Sequence, residues 1–476
     1  MKKILALIIV VFSIVVVSAN FYKVRAAENV VLRVYNWQDY IDDGLDDAGE
    51  KISTPVIDLW IADYKARTGI TVEVIYDTFE TPETMLNTLK TGKSQYDLAC
   101  PSDYTIQKMV REGMLEKFDT TKLTNYNQYG SPYLKDLFEE NGWAEYSVPY
   151  MWGTVGLIYD PEVISAEDVS SWNVMWDSKY QNKATTKDSV RDTYFVGVMH
   201  VYQDELHSLR NQYLNDEISQ SDYNKKVNEI MNRIDDETLL KVETDLKLLK
   251  ENIFGLEVDS GKSDIVSGKI SMNLAWSGDA VYSMDLAEEE DDKLLAYAVP
   301  VEGSNVWYDG WVMPKGANVD LATDFVDFLS KPEIAVLNMN KIGYTSAIAG
   351  EEVLEMIEDW YGAESEETAV EVDLTYFFGN TVECDENGKV IVSIDEHYIG
   401  RQFSAQYPDY ETIIRCGVME DFGDKNEAVL AMWANFKANE LSPLTWAFVI
   451  ILAVGTVAWM VHSWIKQRNR RLHIRH

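Results

Sequence analysis

VVLRVYN at 30–36, TVEVIY at 71–76 and YDLAC at 96–100 are three short apolar runs rich in β-branched and aromatic residues. Between them, residues 55–67 and 81–91 carry apolar side chains at helical spacing. Strands alternating with helices at this spacing predict an α/β sheet with right-handed crossovers. Ligands in such sheets sit beyond the carboxyl ends of the strands, where Trp37, Ser102 and Tyr104 fall. A second α/β segment begins near Thr154. Residues 204–251 are charged and helical in pattern, which predicts a solvated helical excursion, and EEEDD at 288–292 predicts a solvated turn.

The 476 residues, 46% of them hydrophobic, suffice for two packed lobes plus membrane segments. A formal charge of −37 argues against nucleic acid or an anionic membrane surface as partner. Such a field repels phosphates and attracts small cations, although acidity also serves solubility. Three cysteines are too few for a disulfide framework in so large a domain. Cys100 reads as a buried thiol, and pairing of Cys384 with Cys416 stays open.

Both ends suggest a place for the chain. Lys2 and Lys3 precede an apolar run at 4–17 and the small-residue pattern Val17-Ser18-Ala19, so residues 1–27 read as a secretory signal, with an uncleaved anchor as the alternative. LTWAFVIILAVGTVAWMVHSWI at 444–465 is apolar over about the ~20 residues a bilayer needs, with Trp446 and Trp464 near its borders. The basic tail at 466–476 follows, and the positive-inside rule puts it in the cytoplasm. The expectation is an outward-facing domain at the cell surface, anchored in the cytoplasmic membrane by that transmembrane helix.

Local chemical motifs fail. GLEVDSGKS at 255–263 resembles a phosphate loop but has one residue too many between its glycines, and Glu257, Asp259 and Asp264 would repel phosphate. His200, His207 and His397 form no two-ligand spacing for zinc. No nucleophile elbow is present in the sequence. The expectation is a protein without metal or cofactor that is not an enzyme.

What recurs at predicted strand ends is an aromatic residue beside an acid or a small polar one. Trp37-Gln38-Asp39-Tyr40, Ser102-Asp103-Tyr104, the segment from Asp188 to Asp192, Trp276-Ser277-Gly278-Asp279 and Trp307-Tyr308-Asp309 all have this form. Each alone reads more readily as core or solvated surface. Together they suit a linear diamine, which needs a carboxylate near each ammonium and flat apolar walls along its methylenes.

At these residues the sequence resembles the spermidine/putrescine-binding proteins of bacterial polyamine ABC importers. The likeness runs from about Leu32 to Ala438, through YNWQDY at 35–40, ETPETMLNTLKTG at 80–92, YDLACPSDY at 96–104 and REGMLEKFD at 111–119. It continues in VPYMWGTVGL at 148–157, DSVRDT at 188–193, WYDGWVMPKGA at 307–317 and IGYTSA at 342–347. The resemblance implies a type II periplasmic-binding-protein fold, with 28–153 and 309–345 as first lobe and 154–308 and 346–438 as second, joined by crossover strands. It implies partners too: a polyamine ligand, and an ABC permease and ATPase encoded elsewhere. By that likeness Trp37 and Tyr40 would line the cleft from the first lobe, with Ser102 and Tyr104 beside them, and Gln38 and Asp39 between the first two are candidate ligand-binding residues as well. Asp188 and Asp192 would hold one ammonium, Trp276 and Trp307 would sandwich the methylenes, Asp309 would meet the other amine, and Tyr344 would close the wall.

There are departures from the family. Gln38 stands where a small hydroxyl residue is common, Asp192 is shorter than the glutamate sometimes found there, and a glutamine expected near 418–420 is missing. Spermidine against putrescine therefore stays open. Two other readings remain beside the importer: a membrane-tethered sensor or binding protein for another solute, and a carbohydrate-active enzyme using paired carboxylates.

Overall fold

The alternating run at the start of the chain forms β1 (Val30–Trp37), which buries Leu32 and Val34 while Arg33 between them is exposed. The computed structural model describes residues 30–438, apart from 47, 93 and 94. β1 lies parallel to β2 (Val72–Phe79) and to β3 (Leu98–Ala99), with Val34 set against Tyr76 on one side and Leu98 on the other. The helix Val56–Thr68 makes the first crossover and buries Val56 and Trp60. It stops at Gly69, which adopts φ 75° and closes its N–H on the Lys65 carbonyl, the usual left-handed helix end.

The main sheet has 12 strands: β2, β1 and β3 are followed in order by β10 (Ser304–Pro314), β5 (Ser147–Tyr159), β8 (Met272–Trp276), β6 (Ala184–Lys187) and β7 (Gly255–Glu257), with four short strands off that path. One of these, β4 (Leu115–Glu116), pairs with the far end of β10. At the centre run β5 (Ser147–Tyr159) and, antiparallel to it, β10, and both are buried along their whole length. That burial explains why SVPYMWGTVGLIY reads as an apolar run instead of an alternation. Beyond β5 lie β6 (Ala184–Lys187), β7 (Gly255–Glu257), β8 (Met272–Trp276) and β9 (Ala296–Ala298), with β6 parallel to both β7 and β8.

β10 (Ser304–Pro314) starts in the second half of the molecule and ends in the first, where it meets β3 and β4. β11 (Thr345–Ser346) adds to the middle of β5. Two lobes therefore share two long crossover strands.

The chain after 346 divides between the lobes. The helix Glu351–Tyr361 packs on Pro332–Ile342, and Thr375–Phe378 packs on Pro132–Glu140 of the first lobe. β12 (Ala369–Asp373) and β13 (Ile391–Asp395) form a separate antiparallel pair beside Glu351–Tyr361. Gln402–Gln406 packs on Ser277–Asp291, β14 (Cys416–Gly417) pairs with the start of β10, and Asn426–Lys437 packs on Asp236–Asn252, all in the second lobe.

The excursion after 203 forms three helices, Gln203–Leu214, Gln220–Met231 and Asp236–Asn252. Their inner faces join the core: Leu206, Val227, Leu246 and Leu249 are all essentially buried. At about 1.5–3 kcal/mol for each such side chain, this segment is a structural layer, solvated on one face only. EEEDD ends the helix Ser277–Asp291 instead of forming a turn, with Asp292 as its left-handed cap. Glu288 pairs there with Arg401 at 2.5 Å and His397 at 2.9 Å. Cys100, Cys384 and Cys416 are each free; Cys416 donates to the Thr412 carbonyl at 3.2 Å.

The expected membrane tether is corrected. Among the described residues no helix is long and apolar enough to cross a membrane. The longest, Asp236–Asn252, has 17 residues, about 26 Å against a hydrocarbon core of about 30 Å, and carries eight charged side chains (four Asp or Glu in its first ten residues alone). The anticipated span at 444–465, the tail at 466–476 and the signal at 1–27 lie outside the described residues. A C-terminal transmembrane helix as part of the fold, the membrane as a partner through that helix, and anchoring at the cell surface with a cytoplasmic C-terminus are accordingly withdrawn.

Candidate ligand-binding site

β1 ends in a tight turn that separates four consecutive residues into rim and wall. Gln38 and Asp39 are exposed, Asp39 with φ 52°, while Trp37 is half-buried and packs on Phe79 at 4.6 Å. Tyr40 turns inward and is 8% exposed. Asn36 holds the turn by donating to the Tyr40 carbonyl at 3.2 Å, and the Tyr150 hydroxyl donates to the same carbonyl at 3.1 Å. So placed, the Tyr40 hydroxyl donates to Asp309 Oδ2 at 2.6 Å.

Asp309 owes its aim to an irregularity in β10. The register against β5 shifts between Asp309 and Gly310, and Asp309 forms an isolated bridge with Ser102. Such a bulge re-aims a side chain that regular alternation would place elsewhere. The carboxyl is buried, and burial pushes its pKa up to about 6 against the opposing hydroxyls of Ser102 and Tyr40. Its Oδ1 is enclosed with no hydrogen-bond partner among the described residues. An unmet buried acceptor of this kind costs about 1–3 kcal/mol, which a cationic donor would relieve.

Across the crossover strands, Trp307 donates from Nε1 to the Thr154 carbonyl at 3.1 Å and lies 5.2 Å from the Tyr344 ring. Tyr344 in turn meets Tyr40 edge-on at 5.9 Å. Two glycines make this packing feasible. A Cβ on Gly153 would stand 2.8 Å from Trp307 Cζ2, and one on Gly278 would stand 1.8 Å from Tyr344 Cδ1. Tyr344 thereby reaches the start of the helix Ser277–Asp291, where its hydroxyl donates to Asp279 Oδ1 at 2.9 Å.

The second lobe supplies Trp276 from the end of β8 and Asp192 from the first turn of the helix Val190–Val201. Ser189 caps that helix, and Trp276 Nε1 donates to Asp192 Oδ1 at 3.2 Å. Burial raises the Asp192 pKa, with Ser189, Lys187 and the Trp276 N–H opposing. Asp188 goes elsewhere: both its oxygens accept from Lys437, at 2.6 and 2.8 Å. The Tyr104 ring lies beneath the Arg191 guanidinium at 3.7 Å. Arg191 also donates to the Glu420 carbonyl at 2.8 Å and sits 3.7 Å from Asp421, which Arg111 pairs with from the other lobe.

Sequence reasoning singled out neither Lys187 nor Arg191. Lys187 ends β6 and is buried, with Nζ 2.8 Å from Glu257 Oε1, 3.9 Å from Asp279 Oδ2 and 4.5 Å above the Trp276 ring. Its position at the carboxyl end of a parallel strand was the available signal. Asp103 is buried beside Asp309, and burial lifts its carboxyl to about 8. Among the described residues no group of three or more His, Cys, Asp or Glu is placed to hold a metal ion. A cavity of about 420 Å³ lined by Glu205, Gln212, Lys226 and Arg233 lies in the excursion, away from these rings. Chemically, the aromatic cluster with its buried carboxylates is suited to holding a cation.

Residues 60–361 match the family model described as bacterial extracellular solute-binding protein. The spermidine/putrescine-binding periplasmic protein of Salmonella typhimurium is 27% identical over 322 residues, 67% of this chain and 78% of that one. The putrescine-binding periplasmic protein SpuD of Pseudomonas aeruginosa is 30% identical over 319 residues, 65% and 76% of the two chains. Among solved structures, the spermidine/putrescine ABC transporter substrate-binding protein PotD of Streptococcus pneumoniae aligns with a TM-score of 0.57 and 25% identity. That alignment covers 86% of this chain and 99% of the other.

Proposed function

The chain belongs to the bacterial extracellular solute-binding proteins, and on that premise we propose that its two lobes close on a polyamine, spermidine or putrescine, for delivery to an ABC importer. It is a binding protein and not an enzyme, in keeping with its relatives. The observation that carries the ligand assignment is Asp309, a buried carboxylate with Oδ1 unpaired and Oδ2 held by Tyr40, beside the Trp307–Tyr344 rings. In this reading Asp309 takes one ammonium and Asp192 the other. Trp307, Trp276, Tyr40 and Tyr344 face the methylenes, Trp37, Ser102 and Tyr104 complete the first-lobe wall, and Gln38 and Asp39 form its rim. Asp188, engaged by Lys437, acts on the ligand only through its field.

Magnitudes support a large ionic share. Four methylenes buried at about 0.8 kcal/mol each give about 3 kcal/mol, whereas micromolar affinity needs about 8. The carboxylates and the cation–π contacts, at about 0.5–2 kcal/mol each, must supply the remainder.

Calorimetric titration with putrescine, cadaverine, spermidine and spermine tests the reading. Saturable one-to-one binding of at least one polyamine is expected. No heat from any of them, on protein shown to be folded and free of ligand, would sink it.

A further inference from the structure

Lys187 is the only buried lysine among the described residues. It leaves the carboxyl end of β6 and brings its ammonium between Glu257, at 2.8 Å, and Asp279, at 3.9 Å, over the face of Trp276 at 4.5 Å. Two carboxylates and a tryptophan face are what an ammonium of a bound polyamine would seek. The protein supplies that ammonium from its own chain. Lys262, 3.7 Å from Asp279, adds a second cation to the same cluster. Glu257 and Asp279 thus already face the Lys187 ammonium, with Lys262 shared between Asp279 and Asp259, 2.8 Å away, and the first-choice carboxylates left for a ligand are Asp309 and Asp192.

We propose that Lys187 is a specificity-determining residue, a built-in ammonium that fills a third cation position in the second lobe and makes the site select a diamine over a triamine. This rests on the polyamine reading above and deepens it. A ligand with two ammoniums meets one carboxylate at each end. A third ammonium extending into the second lobe meets Lys187, whose charge already faces the carboxylates there. Selection then comes from an element that repels the longer ligand as well as from contacts that attract the shorter one.

The test is calorimetric titration of the purified full chain with putrescine and spermidine. The wild-type protein is expected to bind putrescine about tenfold or more tightly than spermidine. Lys187→Met, which frees Glu257 and Asp279, is expected to move that ratio about tenfold toward spermidine. Lys187→Gln combined with Glu257→Gln removes one buried charge of each sign, so it guards against loss of folding, and it should move the ratio the same way by a smaller factor. A wild-type preference for spermidine, or an unchanged ratio in the double variant, overturns the role of Lys187 while leaving the polyamine reading intact. Absence of binding to both amines overturns that reading and this inference together.

Discussion

Tyr40 and Asp309, 269 positions apart in the chain, are joined by a 2.6 Å hydrogen bond from phenol to carboxylate. The bond fixes one oxygen of a buried acid and leaves the other unpaired. Asp309→Asn removes the charge an ammonium would meet and is expected to weaken polyamine binding by about 2–5 kcal/mol. Tyr40→Phe keeps the ring and the charge but loses the bond, for an expected cost of about 1.5–3 kcal/mol. Titration calorimetry on both variants, with circular dichroism to show that the fold survives, checks the order. Equal affinities for wild type and Asp309→Asn would remove the carboxylate from the site.

The same carboxyl gives affinity a pH dependence of definite sign. Its pKa is raised from the ordinary aspartate value to about 6, chiefly by burial. A cation binds the ionised form, so affinity should hold above about pH 6 and fall about tenfold per unit below it, with proton release on binding near that value. For the ligand-free fold the sign is opposite. A raised carboxyl contributes stability that is fully present below about pH 4 and lost as pH rises through about 6. Titrations between pH 5 and pH 8 read the first effect, and Asp309→Asn should flatten the profile. A flat wild-type profile would contradict it.

Gly278 sits where a side chain would displace Tyr344. Its Cβ would lie 1.8 Å from Tyr344 Cδ1, a distance at which the ring must move. Gly278→Ala is therefore expected to break the Tyr344–Asp279 hydrogen bond and lower stability by about 1–3 kcal/mol, despite the better helix propensity of alanine. Ligand affinity should fall with it. Chemical denaturation and titration of this variant decide the matter, and a stabilised variant with wild-type affinity would show that Tyr344 is free to stand elsewhere.

Alternation made part of this architecture legible and long-range pairing hid the remainder. VVLRVYN and TVEVIY declared themselves as strands through their β-branched and aromatic residues, and TVEVIY also alternates between core and exposed faces. The helix after Pro55 followed from apolar spacing, and Trp60 is indeed at its buried face. The excursion misled because its inner positions, such as Val227 and Leu246, are sparse among charges, although they reach the core. In the site, aromatic residues beside acids were conspicuous along the chain, but their partners were not. Which oxygen Asp309 presents depends on a register shift in β10 that no local pattern announces. Lys187 was invisible for a similar reason. Glu257, Trp276 and Asp279 come to it through the strand order β7-β6-β8, and a lysine next to an aspartate ordinarily reads as solvated surface.

Asp188 and Asp192 illustrate how neighbours in one motif separate in placement. Asp188 precedes the helix cap and turns outward to Lys437, where its side chain stays 30% exposed. Asp192 lies one turn into the helix, faces inward and accepts from the Trp276 N–H. Surface pairs such as Asp188–Lys437 are worth about 0–1 kcal/mol, so Asp188→Asn should change polyamine affinity by less than about fivefold and leave stability nearly intact. Asp192→Asn removes a buried charge facing the Trp276 wall and should cost about 2–5 kcal/mol of binding. Titrating the two variants side by side is a sharp comparison, because both lose one negative charge from the same short segment. A general field effect would weaken them equally, whereas direct contact with an ammonium penalises Asp192→Asn alone. Equal losses would therefore return the second-lobe end of the site to the acidic field as a whole.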